Sequence, residues 1–232
     1  MTKEKTYENE TLDKSLALKE QARDMFELAM PHMHEFNKLM AYYRCAIMEI
    51  ETKFNVLNEE FSLQHDRNPI NGMTSRLKRF SSIADKLERK NLPLTIENIE
   101  DNINDIAGIR VVCAFPDDVY MLADAFLAQD DITLIRKKDY IANPKSNGYR
   151  SLHLIVSVPI FLAKEKRVMK AEIQIRTIAM DSWASLEQQL RYKKDFEFTE
   201  HMANELLRCA QLSAELDERM DALRDLVQGE YE

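Results

Sequence analysis

Alternating polar residues between positions 168 and 177 are the first candidates for chemistry in this sequence. If this segment is a β-strand, side chains two residues apart share a face. One face then carries Lys170, Glu172, Gln174 and Arg176, while the opposite face carries alanine and isoleucine. A solvent-exposed sheet face shows the same alternation, so the strand by itself leaves both interpretations open.

A second carboxylate, Asp105, precedes a run rich in β-branched residues at positions 109–115. If the strands at 109–115 and 168–177 pair suitably, Asp105 and Glu172 converge, and Gly108 permits close backbone packing. Two carboxylates that leave room for water can hold Mg²⁺ against substrate phosphates. Taken alone, Asp105 is as well explained as the cap of a helix or turn.

Cations cluster upstream of Asp105. Arg76 and Lys78 share a face if their segment is extended, while Lys86 and Arg89 share one side of the following helix. A polyphosphate fits between two such rows, although a solvated basic surface explains a charge run equally well. Phosphoryl transfer requires both carboxylate-bound metal and cationic groups, so their joint presence favours a phosphate-handling site.

The segment 143–151, NPKSNGYRS, offers a cation, an amide, a flexible glycine and an aromatic ring between two expected strands. An aromatic ring at a strand edge can stack on a nucleotide base. Tyr149 is equally explained as a half-buried core tyrosine. His153 shares a strand face with Ser151 and is equally explained as a structural hydrogen-bond partner.

The hydrophobic pattern predicts a mixed sheet with helices as the scaffold for these residues. Strands are predicted at 73–79, 109–115, 132–137, 151–158 and 168–177, and the last two form a hairpin around a charged turn. Helices are predicted at 12–61, broken in two near Pro31, at 81–90, ended by Pro93, and at 117–128. The apolar side of the last helix carries Val119, Leu122, Ala123 and Phe126.

The composition excludes several classes of protein. The 232 residues are 45% hydrophobic and 31% charged, which is typical of a helix-rich globular protein with one catalytic unit. The sequence has no apolar run of membrane-spanning length, and the segment 1–15 is rich in charged residues, unlike a signal peptide. We therefore expect a cytoplasmic protein without a membrane partner. Cys45, Cys113 and Cys209 are widely spaced and are expected to be reduced and mostly buried.

The formal net charge of −8 disfavours a protein that binds nucleic acid through its overall field. A cationic cluster within an acidic protein instead indicates a small anionic substrate.

Apolar residues near the C-terminus are spaced alternately four and three positions apart, which is the spacing of a heptad seam. The seam consists of Met202, Leu206, Cys209, Ser213, Leu216, Met220, Leu223 and Val227. One long helix that packs on its own domain and a helix that mediates self-association explain this pattern equally well.

Five blocks occur in order along the chain: SRLK at 75–78, DIAGIR at 105–110, KSNGYRSLH at 145–153, EIQIRT at 172–177 and WASLE at 183–187. Together they resemble the synthetase domain of RelA/SpoT-type enzymes and, in particular, the stand-alone small alarmone synthetases. Ser75 and Gln188 stand where many relatives have glycine and histidine. We expect an N-terminal helical extension at 1–67, a synthetase domain at 68–197 and a C-terminal helix for oligomerisation at 198–232.

The resemblance implies transfer of the β,γ-pyrophosphate of ATP to the 3′-hydroxyl of GDP or GTP in the stringent response. The products would be AMP and the alarmones ppGpp or pppGpp. It also implies an α+β, nucleotidyltransferase-like fold with a mixed, largely antiparallel sheet of about five strands. A homo-oligomer is expected, with a tetramer favoured and with no obligatory nucleic acid.

The resemblance also implies a role for each matching residue. Asp105 and Glu172 would bind Mg²⁺, and Glu172 would be the general base. ATP would be bound by Arg76, Arg110, Lys78, Lys86 and Arg89. Tyr149 would stack on guanine, and the rest of the acceptor would be held by Lys145, Asn147, His153 and Gln174.

Two alternative functions remain open from the sequence. One is a related pyrophosphokinase that acts on tRNA 3′ ends or on adenine nucleotides, which the acidic net charge disfavours for tRNA. The other is a non-catalytic helical module for RNA binding or assembly, which leaves the pairing of Asp105 with Glu172 unexplained.

Overall fold

A computed structural model describes the backbone of residues 4–65, 67–191 and 198–229 and the side chains of residues 33–63, 67–191 and 198–227. The helices in these ranges are α1 (Glu4–His65), α2 (Phe80–Glu88), α3 (Ile96–Asn102), α4 (Pro116–Leu127), α5 (Ile178–Arg191) and α6 (Glu200–Gly229). The strands are β1 (Ile70–Leu77), β2 (Ala107–Cys113), β3 (Thr133–Asp139), β4 (Leu152–Phe161) and β5 (Lys166–Thr177).

The five strands form one sheet in the order β1-β2-β5-β4-β3. β2 and β5 are parallel, and the other neighbouring pairs are antiparallel. This topology confirms the mixed, largely antiparallel sheet flanked by helices. It also confirms the hairpin between β4 and β5, in which Phe161 pairs with Lys166.

The chain divides into two compact units, Met1–Ala41 and Tyr42–Glu232. Where it is described, the first unit is part of α1. The second unit contains the rest of α1, the whole sheet and helices α2 to α6.

Two predicted helix boundaries are wrong. α1 continues through Pro31, because the loss of one hydrogen bond is small beside those that remain in a helix of 62 residues. α2 ends at Glu88, two residues before the predicted end at Lys90 and well before the stop signal at Pro93. Asn91, with φ of 53°, adopts the left-handed conformation that commonly follows the last helical turn.

Helices α3 and α5 were not predicted, although each has a local start signal. Thr95 precedes α3, and its hydroxyl accepts a hydrogen bond from the N–H of Asn98 at 3.2 Å. Thr177 ends β5, and its hydroxyl accepts one from the N–H of Met180 at 3.1 Å. α5 therefore begins directly after the central strand without an intervening loop.

The core lies on the face of the sheet that α4 covers. Ala171, Ile173 and Ile175 of β5 are fully buried there, and α4 packs against β5. The predicted apolar side of α4 is confirmed, since its four members are all buried: Val119, Leu122, Ala123 and Phe126.

Within the second unit, the C-terminal part of α1 extends this core. Phe54 is fully buried and stacks on Phe126 with ring centroids 4.6 Å apart. Lys53 donates a hydrogen bond to Asp131 at 2.8 Å. These contacts fix the end of α1 to α4 and to the loop that follows it.

The heptad seam is a face of α6 that is largely exposed in the described part of the chain. Leu216, Met220, Leu223 and Val227 are 53%, 47%, 54% and 59% exposed. Only the N-terminal members Met202, Leu206 and Ser213 are partly buried, and Cys209 is exposed. The helix contacts α5 and α4, and the seam member Leu206 packs against the cluster that contains Trp183 and Ala184 of α5.

The three cysteines are free thiols, and only Cys113 among them is buried. The expectation of mostly buried thiols is therefore wrong for Cys209, because the seam on which it lies is open. None of the described helices is long and apolar enough to cross a membrane.

We expect Phe54→Ala to lower the free energy of unfolding by about 3–5 kcal/mol, because the substitution removes a buried ring and leaves a cavity. Urea unfolding at fixed protein concentration measures the change. Met48→Ala on the same helix is the control, since Met48 is 65% exposed. An equal loss in both variants would contradict this account of the core.

Candidate active site

The exposed face of the central strands collects polar side chains in register. Glu172 and Gln174 of β5 lie opposite Gly108 and Arg110 of the parallel strand β2. On the other side, Gln174 lies opposite His153 of β4. The predicted alternation along β5 is therefore confirmed, and its polar face forms the floor of a site rather than a freely solvated surface.

Glu172 is held at the centre of this face. Its carboxylate accepts a hydrogen bond from Nε2 of Gln174 at 3.1 Å and lies 3.5 Å from Nδ1 of His153. Burial acts to raise the pKa of Glu172, but the hydrogen bond and charge of His153 and the hydrogen bond of Gln174 bring the pKa below its usual range. Glu172 is therefore ionised at neutral pH.

Asp105 is the second carboxylate of the site. Its two oxygens accept hydrogen bonds from Nζ of Lys78 and Nζ of Lys86, both at 2.8 Å. Burial acts to raise the pKa of Asp105, and the two lysines outweigh it and lower the pKa. Lys78 is positioned by its backbone N–H, which donates to the carbonyl of Ile106 at 2.8 Å.

Two cavities meet at Glu172. One lies above β1 and β2 and is lined by Thr74, Ser75, Arg76, Gly108, Ile109, Arg110, Glu172 and Gln174. The other, of about 390 Å³, lies toward β3 and β4 and is lined by Lys86, Lys90, Asn102, Asn104, Asp105, Arg136, Lys138, Tyr140, Lys145, His153, Ile155 and Glu172. Asp105 and Glu172 thus line one cavity, as the sequence predicts.

The loop that follows β3 carries an aromatic cluster beside this second cavity. Tyr140, Lys145 and His153 line the cavity, whereas Tyr149 packs against them and lines neither cavity. The hydroxyl of Tyr149 accepts a hydrogen bond from Nη2 of Arg176 at 2.6 Å and lies 2.8 Å from Nε2 of His153. Nζ of Lys145 lies 4.6 Å from the ring centroids of both Tyr140 and Tyr149. With the proton of His153 on Nδ1, its Nε2 accepts the hydrogen bond of the Tyr149 hydroxyl, and its Nδ1 lies 3.5 Å from the carboxylate of Glu172.

Asn147 does not point its amide freely into the cavity. Its Nδ2 donates to Glu187 of α5 at 3.3 Å, and its Oδ1 accepts from the N–H of Tyr149 at 3.2 Å. Asn147 therefore holds the loop in shape.

Not every predicted residue reaches the site. Arg89 is exposed, lines neither cavity, and its Nε donates back to the carbonyl of Asp85 at 3.2 Å. Arg76 does reach the first cavity, where its stem lies over Gly108 of β2. Ser75 lines that cavity as well, whereas Gln188 is exposed on α5.

Sequence reasoning missed part of the site. Arg136 and Lys138 alternate along the edge strand β3 and line the second cavity with Tyr140. Their period of two was the available signal. Asp181, at the start of α5, joins Arg110 at 3.2 Å and Arg176 at 3.1 Å. No local pattern marks Asp181, since only the packing of α5 brings it to these arginines.

The donor set fits magnesium bound together with substrate. Among the described side chains, no group of three or more His, Cys, Asp or Glu residues is arranged to hold a metal ion. Magnesium needs fewer protein ligands, because it commonly binds through one or two carboxylates plus water and substrate phosphates. Asp105 and Glu172, both ionised and lining one cavity, meet that requirement.

Comparison with known sequences identifies the family. The sequence profile of a region found in RelA and SpoT proteins matches residues 75–197, which include the strands and loops of both cavities. The chain belongs to the RelA/SpoT family. This match confirms the resemblance carried by the five blocks.

Full-length relatives and solved structures place the chain in the small alarmone synthetase branch of this RelA/SpoT family. GTP pyrophosphokinase YwaC of Bacillus subtilis is 40% identical over 201 residues, covering 84% of this chain and 96% of the relative. The crystal structure of small alarmone synthetase 2 of B. subtilis has a TM-score of 0.75 at 38% identity, covering 82% of this chain and 98% of that chain. Small alarmone synthetase 1 of B. subtilis bound to its product pppGpp has a TM-score of 0.75 at 36% identity, covering 84% and 98%.

We expect the Glu172 carboxyl to titrate below the usual glutamate range, and His153→Asn to move that midpoint upward, since His153 lowers the pKa. Carboxyl ¹³C NMR measures both midpoints, and Glu172→Gln identifies the signal. Because the folded-state pKa is the lower one, the ionised group stabilises the fold above the unfolded-state pKa, and this contribution is lost as the pH falls through the folded-state pKa. A midpoint at or above the ordinary value would contradict the assigned network.

Proposed function

We propose that this chain is a (p)ppGpp synthetase. It transfers the β,γ-pyrophosphate of ATP to the 3′-hydroxyl of GDP or GTP and releases AMP with ppGpp or pppGpp. The observation that carries the proposal is the position of Glu172, an ionised carboxylate shared by two cavities with different linings. A two-substrate transfer requires such a group between donor and acceptor.

The cavity above β1 and β2 is assigned to the adenine of ATP. Arg76 and Arg110 line it, and their guanidinium planes can stack on the two faces of a base. Lys78 and Lys86 are assigned to the ATP phosphates. Both ammonium groups lie 2.8 Å from Asp105. They are therefore already close to the carboxylates beside which the polyphosphate is proposed to bind.

The cavity toward β3 and β4 is assigned to the guanine nucleotide. Tyr149 offers a ring for stacking, and Lys145, beside that ring, offers a cation for the acceptor phosphates. His153 lines this cavity beside Glu172 and can hold the ribose. Gln174 flanks Glu172 on the side of the first cavity and is proposed to complete the contact with the ribose. Asn147 contributes by shaping the loop.

Glu172 is assigned as the general base. It accepts the proton of the 3′-hydroxyl as that oxygen forms a bond to the β-phosphorus, and the bond from the β-phosphorus to the α,β-bridging oxygen breaks as AMP leaves. Its lowered pKa keeps it ionised and ready to accept a hydrogen bond from the hydroxyl. Asp105 and Glu172 would hold Mg²⁺, which would neutralise the negative charge of the phosphates.

Incubation with ATP, Mg²⁺ and either GDP or GTP, followed by anion-exchange separation, tests the function. We expect AMP with a guanosine 3′-pyrophosphate product, and a rate lowered on the order of 10³-fold or more in Glu172→Gln, which removes a metal ligand and the base. Glu60→Gln, at an exposed position of α1, is the matched control.

Other outcomes of the same assay would reject the proposal. Transfer only to adenine nucleotides or to tRNA would assign the chain to a related pyrophosphokinase. Absence of any transfer would leave a non-catalytic module. Near-normal turnover of Glu172→Gln would remove Glu172 from the chemistry.

The proposed organisation assigns residues 68–197 to catalysis and the flanking helices at 1–67 and 198–232 to support and assembly. The exposed seam on α6 supports a homo-oligomer, with a tetramer favoured by the family resemblance. Leu216 and Leu223 are each more than half exposed, and burial of such side chains contributes roughly 1.5–3 kcal/mol each before ordering costs.

We expect light scattering at micromolar concentration to give a multiple of the 27.2 kDa chain mass. Leu216→Asp with Leu223→Asp should dissociate the assembly, because charges would be buried in an apolar interface. Glu218→Gln on the exposed part of the same helix is the control. A 27.2 kDa mass for the wild-type chain would reject assembly.

A further inference from the structure

α6 touches the loop that carries the proposed acceptor residues. Gly148 has φ of +88°, and a Cβ built there would lie 2.4 Å from Cβ of Ala210 and 3.2 Å from Cδ1 of Leu207. Real Cβ atoms do not approach so closely, so the backbone of the loop rests directly on α6. Glycine at 148 is required both by the dihedral angle and by this contact.

Trp183 completes the support beneath the same loop. Trp183 and Ala210 are 7% and 6% exposed, form one cluster with Ala184, and pack against Tyr149. The indole Nε1 of Trp183 donates to the carbonyl of Leu206 at 2.9 Å, which ties α5 to α6. The ring assigned to guanine stacking therefore has α5 and α6 behind it.

The loop is also held at the residue before Gly148 and by hydrogen bonds within itself. Glu187 of α5 accepts a hydrogen bond from Asn147. The N–H of Gly148 donates to the carbonyl of Lys145 at 2.8 Å, and the N–H of Lys145 donates to the carbonyl of Tyr149 at 3.1 Å. A loop with this internal turn moves as one body, so a displacement at Gly148 is passed to both Lys145 and Tyr149.

We propose that Ala210 and Trp183 are positioning residues that set the affinity of the enzyme for the guanine acceptor and leave ATP binding unchanged. The inference rests on the proposed function, because it uses the assignment of Tyr149 and Lys145 to the acceptor. Neither Ala210 nor Trp183 is among the described residues that line the two cavities, so they act through the loop. The adenine cavity is lined by residues of β1, β2 and β5, and neither α6 nor the 143–151 loop contributes to its lining.

The first test enlarges Ala210. In Ala210→Val, the added methyl groups displace Gly148, and we expect the KM for GTP to rise about tenfold while the KM for ATP and kcat stay within about twofold. Ala222→Val is the matched control, because Ala222 is an exposed alanine of the same helix with the same loss of helix propensity. Circular dichroism confirms folding of both variants.

Trp183 provides a readout that does not depend on turnover. It is the single tryptophan of the chain and belongs to the buried cluster against which Tyr149 packs. We expect GDP, added without ATP, to change its fluorescence, and AMPCPP alone to leave it nearly unchanged. The Kd for GDP should rise in Ala210→Val and stay constant in Ala222→Val.

A double substitution separates positioning from a general loss of stability. Gly148→Ala alone should raise the Kd for GDP, and Ala210→Gly on the same chain should recover part of the loss, because it removes the methyl group that lies 2.4 Å from the new Cβ. The recovery is partial, since the positive φ remains unfavourable for alanine. If Ala210→Val does not fold, Ala210→Gly serves as the single variant in its place. It removes the methyl group that supports Gly148, and we expect it to raise the Kd for GDP by itself.

The inference is overturned by equal changes of the two KM values in Ala210→Val, by an unchanged Kd for GDP in Ala210→Val, or by independent effects of Gly148→Ala and Ala210→Gly. Failure of the proposed function has a different signature, since the wild-type chain would then yield no guanosine 3′-pyrophosphate.

Discussion

The parallel pairing of β2 with β5 is the constraint on which the site depends. It places Gly108 beside Glu172, and the stem of Arg76 from β1 passes over Gly108. Asp105 lies three residues before Gly108 and so reaches the same end of the sheet. Antiparallel pairing on the outer sides then adds one cavity toward β1 and another toward β3, with Glu172 between them.

Charge balance keeps this polar face folded. Asp105 pairs with both Lys78 and Lys86, and Asp181 pairs with both Arg110 and Arg176. Unpaired charges at partly buried positions are costly, which explains why these four cations share two internal carboxylates. A phosphate that enters competes with Asp105 for the lysines, so binding exchanges one anionic partner for another and does not create isolated charges.

Helices outside the sheet support the loop that carries the residues proposed to bind the acceptor. β4 carries His153 into the face, but Tyr149 and Lys145 stand on a loop, and loops are less rigid than strands. α5 follows β5 without a break, and α6 packs on α5, so the helices back the loop through Trp183 and Ala210. The same α6 carries an exposed apolar seam. The contact with the loop and the exposed apolar seam therefore lie on one helix.

The sequence by itself determined the strands, the polar face of β5 and the family, because period-two alternation and short motif blocks are local properties. It also located the carboxylate pair. Tertiary structure decided which cations belong to the site: Lys86 turns to Asp105, whereas Arg89, three residues later on the same helix, bonds to its own backbone. Tertiary structure likewise brings Asp181 to the arginines of the site and Ala210 to the loop at Gly148. Their contacts join residues distant in sequence, and no local pattern encodes the packing of α5 and α6 on the sheet.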